Sequence, residues 1–243
     1  MYRRYNLSEQ NHWKLLQNDR LSEWFVPKFG NRNFRVGIGI LFLPYTGMVV
    51  SFAAWGSLVV DYSLERLVAI CILYFLALGV SAHCLDAVGS KTKPWGFLST
   101  KKLWVISLIT LACAFLIGFY YAFLDSYLLI PIGIIETFFL LAYNLELFNG
   151  KFHNNSSFVV SWGVLPVLAG TVIQINSITL ESIALSGVSG FLSYILIKTS
   201  QRYKSLKRQS VEMSLIHKKE LALKLVSSGV IFSTILFFLI RHL

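Results

Sequence analysis

Residues 103–124 read LWVISLITLACAFLIGFYYAFL. The stretch carries no charged side chain and is long enough to cross a hydrocarbon core of about 30 Å as a helix. A membrane β-strand would alternate polar with apolar side chains, and this run does not. Lipid offers no water to a free backbone, so a helix is the expected solution. Working outward, six more apolar runs lie at 37–58, 64–83, 127–147, 157–176, 181–198 and 223–240. Seven spans fit a chain of 243 residues that is 55% hydrophobic and 14% charged, with a mean hydropathy of +0.62. Soluble domains carry about 25% charged residues. The expected fold class is an all-α, multi-pass membrane protein.

The basic residues are sorted by the connections between these spans. With the N-terminus on one side, all of the 22 Lys and Arg except Arg66 and Arg241 fall on that side. The positive-inside rule then predicts a cytoplasmic N-terminus and an outer C-terminus. The net charge of +10 is accounted for by this topology and by attraction to anionic headgroups, so nucleic acid is not expected as a partner. Cys71, Cys84 and Cys113 lie in or beside spans without paired spacing and read as small apolar residues rather than disulfides.

Two regions follow. Residues 1–36 form a cytoplasmic N-terminal arm with no apolar core segment, so no cleavable signal is expected and the first span is read as the insertion signal. Within the arm, Ser8 can cap a helix that carries Trp13, Leu16, Leu21 and Trp24 and ends near Pro27 and Gly30. That helix either lies in the membrane interface or packs on the bundle. Residues 37–243 form the transmembrane domain. Pro44, Pro131 and Pro166 lie inside spans, where they are expected to kink helices around a cavity or at close packing.

The longer inner connections hold the polar residues. His83 and Asp86 follow the second span and, three apart, share a helix face. Asn144, Glu146, Lys151 and His153 follow the fourth. Lys198, Arg202, Lys204, Lys207 and Arg208 follow the sixth, where they can hold a diphosphate or anchor the chain on anionic lipid. Glu136 lies midway along the fourth span; an acid at that depth faces the bundle interior, either bonding a neighbouring helix or lining a cavity. His83 and His153 also admit a metal or haem site. For each group the residues alone leave a structural and a functional reading open.

These pieces in this order resemble the UbiA-type intramembrane prenyltransferases. The family's loop after its second helix has the pattern N-D-x-x-D-x-x-x-D; with Asp86 at the middle Asp, the other three positions are Ala82, His83 and Ser90, followed by the basic, Pro-containing Lys91–Pro94. The segment 142–151 is similar to the polar stretch after the family's fourth helix. The run Trp162–Gly170 is similar to the G-x-x-P-x-x-x-G of its fifth, with Gly163, Pro166 and Gly170 matching. The chain departs from the family at three points. Only one acid of the first motif remains, Lys198–Arg208 stands where the second acidic loop belongs, and seven spans stand in place of nine.

The resemblance implies a UbiA-like bundle and transfer of a prenyl group from a prenyl diphosphate to a lipophilic acceptor. In that reading Asp86 and Glu136 are catalytic, and His83, Asn144, Glu146, Lys151, Arg202, Lys204 and Arg208 bind substrate. A magnesium ion would rest on Asp86 and Glu146. One remaining acid cannot build the family's two-cluster magnesium clamp, so Lys and Arg would take over diphosphate charge. The alternative is a non-catalytic, lipid-binding or accessory subunit of a membrane complex that keeps the fold. Membrane lipids, an isoprenoid diphosphate and a membrane-protein partner are the implied associations, in the plasma membrane of a prokaryote.

Overall fold

A computed structural model describes residues 20–90, 95, 98–209 and 213–242. Seven apolar helices follow one another: α1 (Arg32–Leu58), α2 (Leu64–Gly89), α3 (Thr100–Leu124), α4 (Leu129–Asn144), α5 (Asn155–Ile175), α6 (Leu180–Arg208) and α7 (Met213–His242). Among the described residues there is no strand. Six of the seven are long and apolar enough to cross a membrane. The exception, α4, has 16 residues, about 24 Å at 1.5 Å per residue. It still runs from one end of the bundle to the other. Leu128 N–H donates to Asn176 Oδ1 at one end, and Asn144 lies against Gly89 at the other.

The first end carries the 59–63, 125–128 and 176–179 turns and the end of α7. Arg241 donates to Val60 O at 2.8 Å, and Tyr62 Oη lies 2.7 Å from His242 Nδ1. Arg66 donates to both carboxylate oxygens of Asp125 at 2.9 and 2.6 Å, and to Ile173 O at 2.7 Å. This one guanidinium joins α2 to the α3–α4 turn and to α5. It also holds the Asp125 carboxyl below the usual carboxylate range. The second end carries the arm and the remaining connections.

Close approach of small residues holds the helices together, as expected where lipid removes the hydrophobic drive for association. At the α1–α5 crossing, Ser57 donates to Gly170 O at 2.9 Å and Thr171 to Gly56 O at 2.8 Å. A Cβ added at Gly56 would run into the Val167 carbonyl, and one at Gly170 into that of Ala53. Ser189 donates to Gly163 O at 2.8 Å between α6 and α5, and Ser81 meets Ser107 at 2.7 Å between α2 and α3.

The prolines do less kinking than expected. Pro44 and Pro166 each begin a new α-helical segment, and Pro131 is in the first turn of α4, where the missing N–H is not needed. The irregular backbone lies just before them in α1 and α5. Phe42, at φ 47°, breaks α1 between Arg32–Ile40 and Leu43–Leu58. Helix α5 winds as a π-helix over Val160–Val164, and α2 over Phe75–Ala82. Helix α6 continues to Arg208, well beyond the span at 181–198, so its basic residues lie on a helix rather than a loop.

Candidate functional site

The three irregularities converge on one imidazole. His83 immediately follows the π segment of α2, and its ring lies 5.5 Å from that of Phe42 and 5.3 Å from that of Trp162. Trp162 belongs to the π segment of α5. Such segments reposition side chains without ending the helix and are frequent at functional sites. His83 Nε2 is buried without a hydrogen-bond partner.

Above this ring the arm closes the basic end. Val26 and Trp95 are buried with Val36, Ile40, Cys84, Ala87 and Leu103. The Phe25 ring stands edge-on to Phe42 at 3.9 Å. Arg35 ties the arm's backbone down by donating to Pro27 O and Leu21 O at 2.8 and 2.9 Å. Glu23 accepts from Tyr203 Oη at 3.0 Å and from Lys207 Nζ at 2.9 Å. Trp24 lies under Lys224, 5.8 Å from its Nζ. Over these residues the arm packs on the bundle; the expected helix from Ser8 lies mostly outside the described residues, as does Lys91–Pro94.

Asp86, the acid aligned with the family motif, is ion-paired with Arg20 at 3.8 Å. Arg20 and Lys204 line one small closed pocket of about 20 Å³ with Glu23, Tyr45, Ser200 and Tyr203. The structure therefore brings His83, Asp86 and Lys204 to one mouth, together with Arg20. The other expected residues do not join them. Asn144 donates its amide to Leu140 O of its own helix at 2.8 Å. Glu146, at φ 50°, and Lys151 are exposed on the 145–154 turn. His153 stacks on Tyr143 at 4.4 Å and contacts its carbonyl at 2.9 Å. Arg202 and Arg208 are exposed on α6. Among the described residues no three His, Cys, Asp or Glu side chains form a group that could hold a metal ion.

Glu136 stands apart from the mouth, in the middle of α4. Its Oε1 accepts from Tyr74 Oη of α2 at 3.0 Å, while Oε2 is buried with no partner. The carboxyl lines a cavity of about 90 Å³ between α2, α3 and α4. A second cavity of about 340 Å³ shares Phe115, Gly118, Leu129, Gly133 and Thr137 with the first and opens between α3 and α4. Together they make a crevice that runs from the outer half of the bundle to the carboxyl.

The residues that sequence reasoning missed are Arg20, Glu23, Tyr45, Tyr74 and Tyr203. For Tyr74 a signal existed: a polar group in a membrane helix needs a partner, and Glu136 had none assigned. No protein-family model matches the chain, and searches of the curated proteins and of the solved structures return no match.

Proposed function

We propose that the protein is a lipid-binding subunit of a membrane complex on a UbiA-like scaffold, with its N-terminus in the cytoplasm of a prokaryotic cell. The Arg20–Asp86 pair carries this reading. The one acid left from the family motif is neutralised by a guanidinium from the arm, in a mouth that Glu23, Phe25 and Val26 also close. An acid so held is poor at gathering a metal-bound diphosphate, whereas the lipid-facing crevice at Glu136 remains open to an apolar chain. Native mass spectrometry of the detergent-solubilised protein tests the proposal. A stoichiometric isoprenoid or partner chain is expected, and a bare monomer with neither would refute it.

A second reading has its own support. Arg20, Lys204 and Asp86 lie at the mouth that a prenyl diphosphate would enter from the cytoplasmic side. If the arm swings away, the two cations would take diphosphate charge, and Asp86 with Glu146 would be the acids available to a magnesium ion. Turnover of labelled prenyl diphosphates by the wild type, lost in Asp86→Asn, would establish this prenyltransferase reading over the first. Equal inactivity of both across donor chain lengths would remove it.

A further inference from the structure

The crevice between α2, α3 and α4 has features that ordinary packing defects lack. Its two longer walls are floored by glycine. A Cβ added at Gly133 of α4 would meet nothing within 4 Å, and one at Gly118 of α3 would touch only Leu73 at 3.5 Å. These glycines are therefore not needed for helix contact at these points, and what they leave is space. At about 340 Å³ the outer chamber is within the range of small-molecule sites, roughly 300–1,000 Å³. The inner chamber ends on the one hydrogen-bonding group without a partner, Glu136 Oε2.

The lining limits what can bind. No Lys or Arg lines either chamber, so a phosphate or carboxylate head would be buried without a counter-charge. The other polar side chains are already committed. Thr137 Oγ1 donates to Gly133 O at 2.7 Å, and Tyr74 Oη donates to Glu136 Oε1. A carboxyl in hydrocarbon with no cation beside it is best tolerated as the neutral acid, which has one O–H to give. A ligand oxygen that accepts and does not itself donate completes this set. An alcohol would bring an O–H for which the lining offers no uncommitted acceptor side chain.

A contrasting groove between α1, α2 and α7 makes the distinction plain. It is wider, about 570 Å³, but its one polar side chain, Thr234, already accepts from Trp55 Nε1 and donates to Val230 O. Nothing in that groove selects a head group.

We propose that the α2–α3–α4 crevice binds a single-chain lipophile with a neutral, carbonyl-bearing head, the carbonyl accepting from Glu136 and the chain lying between α3 and α4. This rests on the lipid-binding reading and gives that lipid a site and a head-group chemistry. The ligand enters sideways from the bilayer, and its head sits near the membrane midplane, as expected of a quinone-like ring and not of a phospholipid.

The test uses the full-length protein in nanodiscs and three diazirine-labelled probes with the same decyl tail: a benzoquinone, the free alcohol and the plain alkane. Photolabelling of the wild type is expected to map to residues 115–137 and to favour the quinone over the alkane by about tenfold, the worth of one buried hydrogen bond. Glu136→Leu should bring the probes near parity. Gly133→Phe should abolish crevice labelling while leaving the unfolding midpoint unchanged, because the substitution fills open space. Equal labelling by alkane and quinone, a quinone preference that survives Glu136→Leu, or stronger labelling by the alcohol would overturn the carbonyl assignment and leave the lipid-binding reading standing. Labelling confined to the α1–α2–α7 groove and indifferent to Gly133→Phe would overturn the site. Failure of any probe or native lipid to bind would overturn both.

Discussion

The α1–α5 crossing is the sharpest place to test the packing, and Gly170→Ala is the substitution to make. A methyl at Gly170 would overlap the Ala53 carbonyl, with Ser57 N only 3.1 Å away. Both neighbours are backbone atoms of a buried helix, so neither can turn aside; Ala53, Ser57 and Thr171 are all fully buried. Carbon–oxygen contacts in close helix pairs settle at about 3.3–3.6 Å, so the axes must separate by roughly 1 Å or more. The two hydrogen bonds across the crossing, at 2.9 and 2.8 Å, would then stretch beyond bonding range. Interhelical hydrogen bonds in membranes average about 0.6 and reach about 1.7 kcal/mol, and overpacking costs about 1–3 kcal/mol. The expected loss is about 2–5 kcal/mol, read as a lower midpoint when unfolding in mixed micelles is followed by far-UV circular dichroism. Gly187→Ala in α6 is the control, since its added methyl meets nothing within 4 Å. If Gly170→Ala unfolds at the same midpoint as Gly187→Ala, the helices are not in the contact described and the reasoning fails.

Four further outcomes are expected. Arg66→Ala should loosen the outer end, seen as faster hydrogen exchange in the 125–128 turn; unchanged exchange would show that the guanidinium does not bind that turn. Because Arg66 lowers the Asp125 pKa in the folded protein, this pairing stabilises above the carboxyl's unfolded pKa and is lost as pH falls below about 4 and through the lowered value. Asp125→Asn should therefore remove part of the acid sensitivity of the unfolding midpoint, and a parallel pH profile would count against the pair. Glu23→Gln should free the arm and speed tryptic cleavage at Lys28 several-fold, whereas an unchanged rate would mean that Glu23 does not hold it. Tyr74→Phe leaves both Glu136 oxygens without protein partners and should cost about 1–3 kcal/mol; adding Glu136→Leu should recover part of this, and strict additivity in the double-mutant cycle would deny the coupling.

The order and number of helices were legible because hydrocarbon imposes length and apolarity on each span, and each run of the sequence obeys. Glu136 was legible for the complementary reason: an acid in the middle of an apolar run must face inward. Other features leave no such mark. Phe42 in the left-handed region breaks α1 although nothing in phenylalanine favours that conformation, and its aromatic packing against Phe25 and Tyr45 holds it there. The π segments contain ordinary apolar residues. The extension of α6 to Arg208 looked like a polar loop because hydropathy measures the membrane and not the helix, which runs on into water and ends with Lys207 and Arg208 in its last turn. Asp86 was singled out correctly, but its partner, Arg20, is remote in sequence and reaches it only once the arm folds over the bundle.

The π segment of α2 separates two things that a plain helix would lock together. A π turn is an α-helix with an extra residue taken up in the coil, so deleting one residue from Phe75–Ala82 would restore ordinary winding. Everything beyond the deletion would then turn by about 100° about the axis. Leu67, Ile70 and Tyr74, on the outer side of the segment, would keep their places in the core, while His83 and Asp86 would swing to a different wall of the mouth. The aim of the polar end is thus indexed independently of the scaffold that carries it, and one codon is the unit of adjustment.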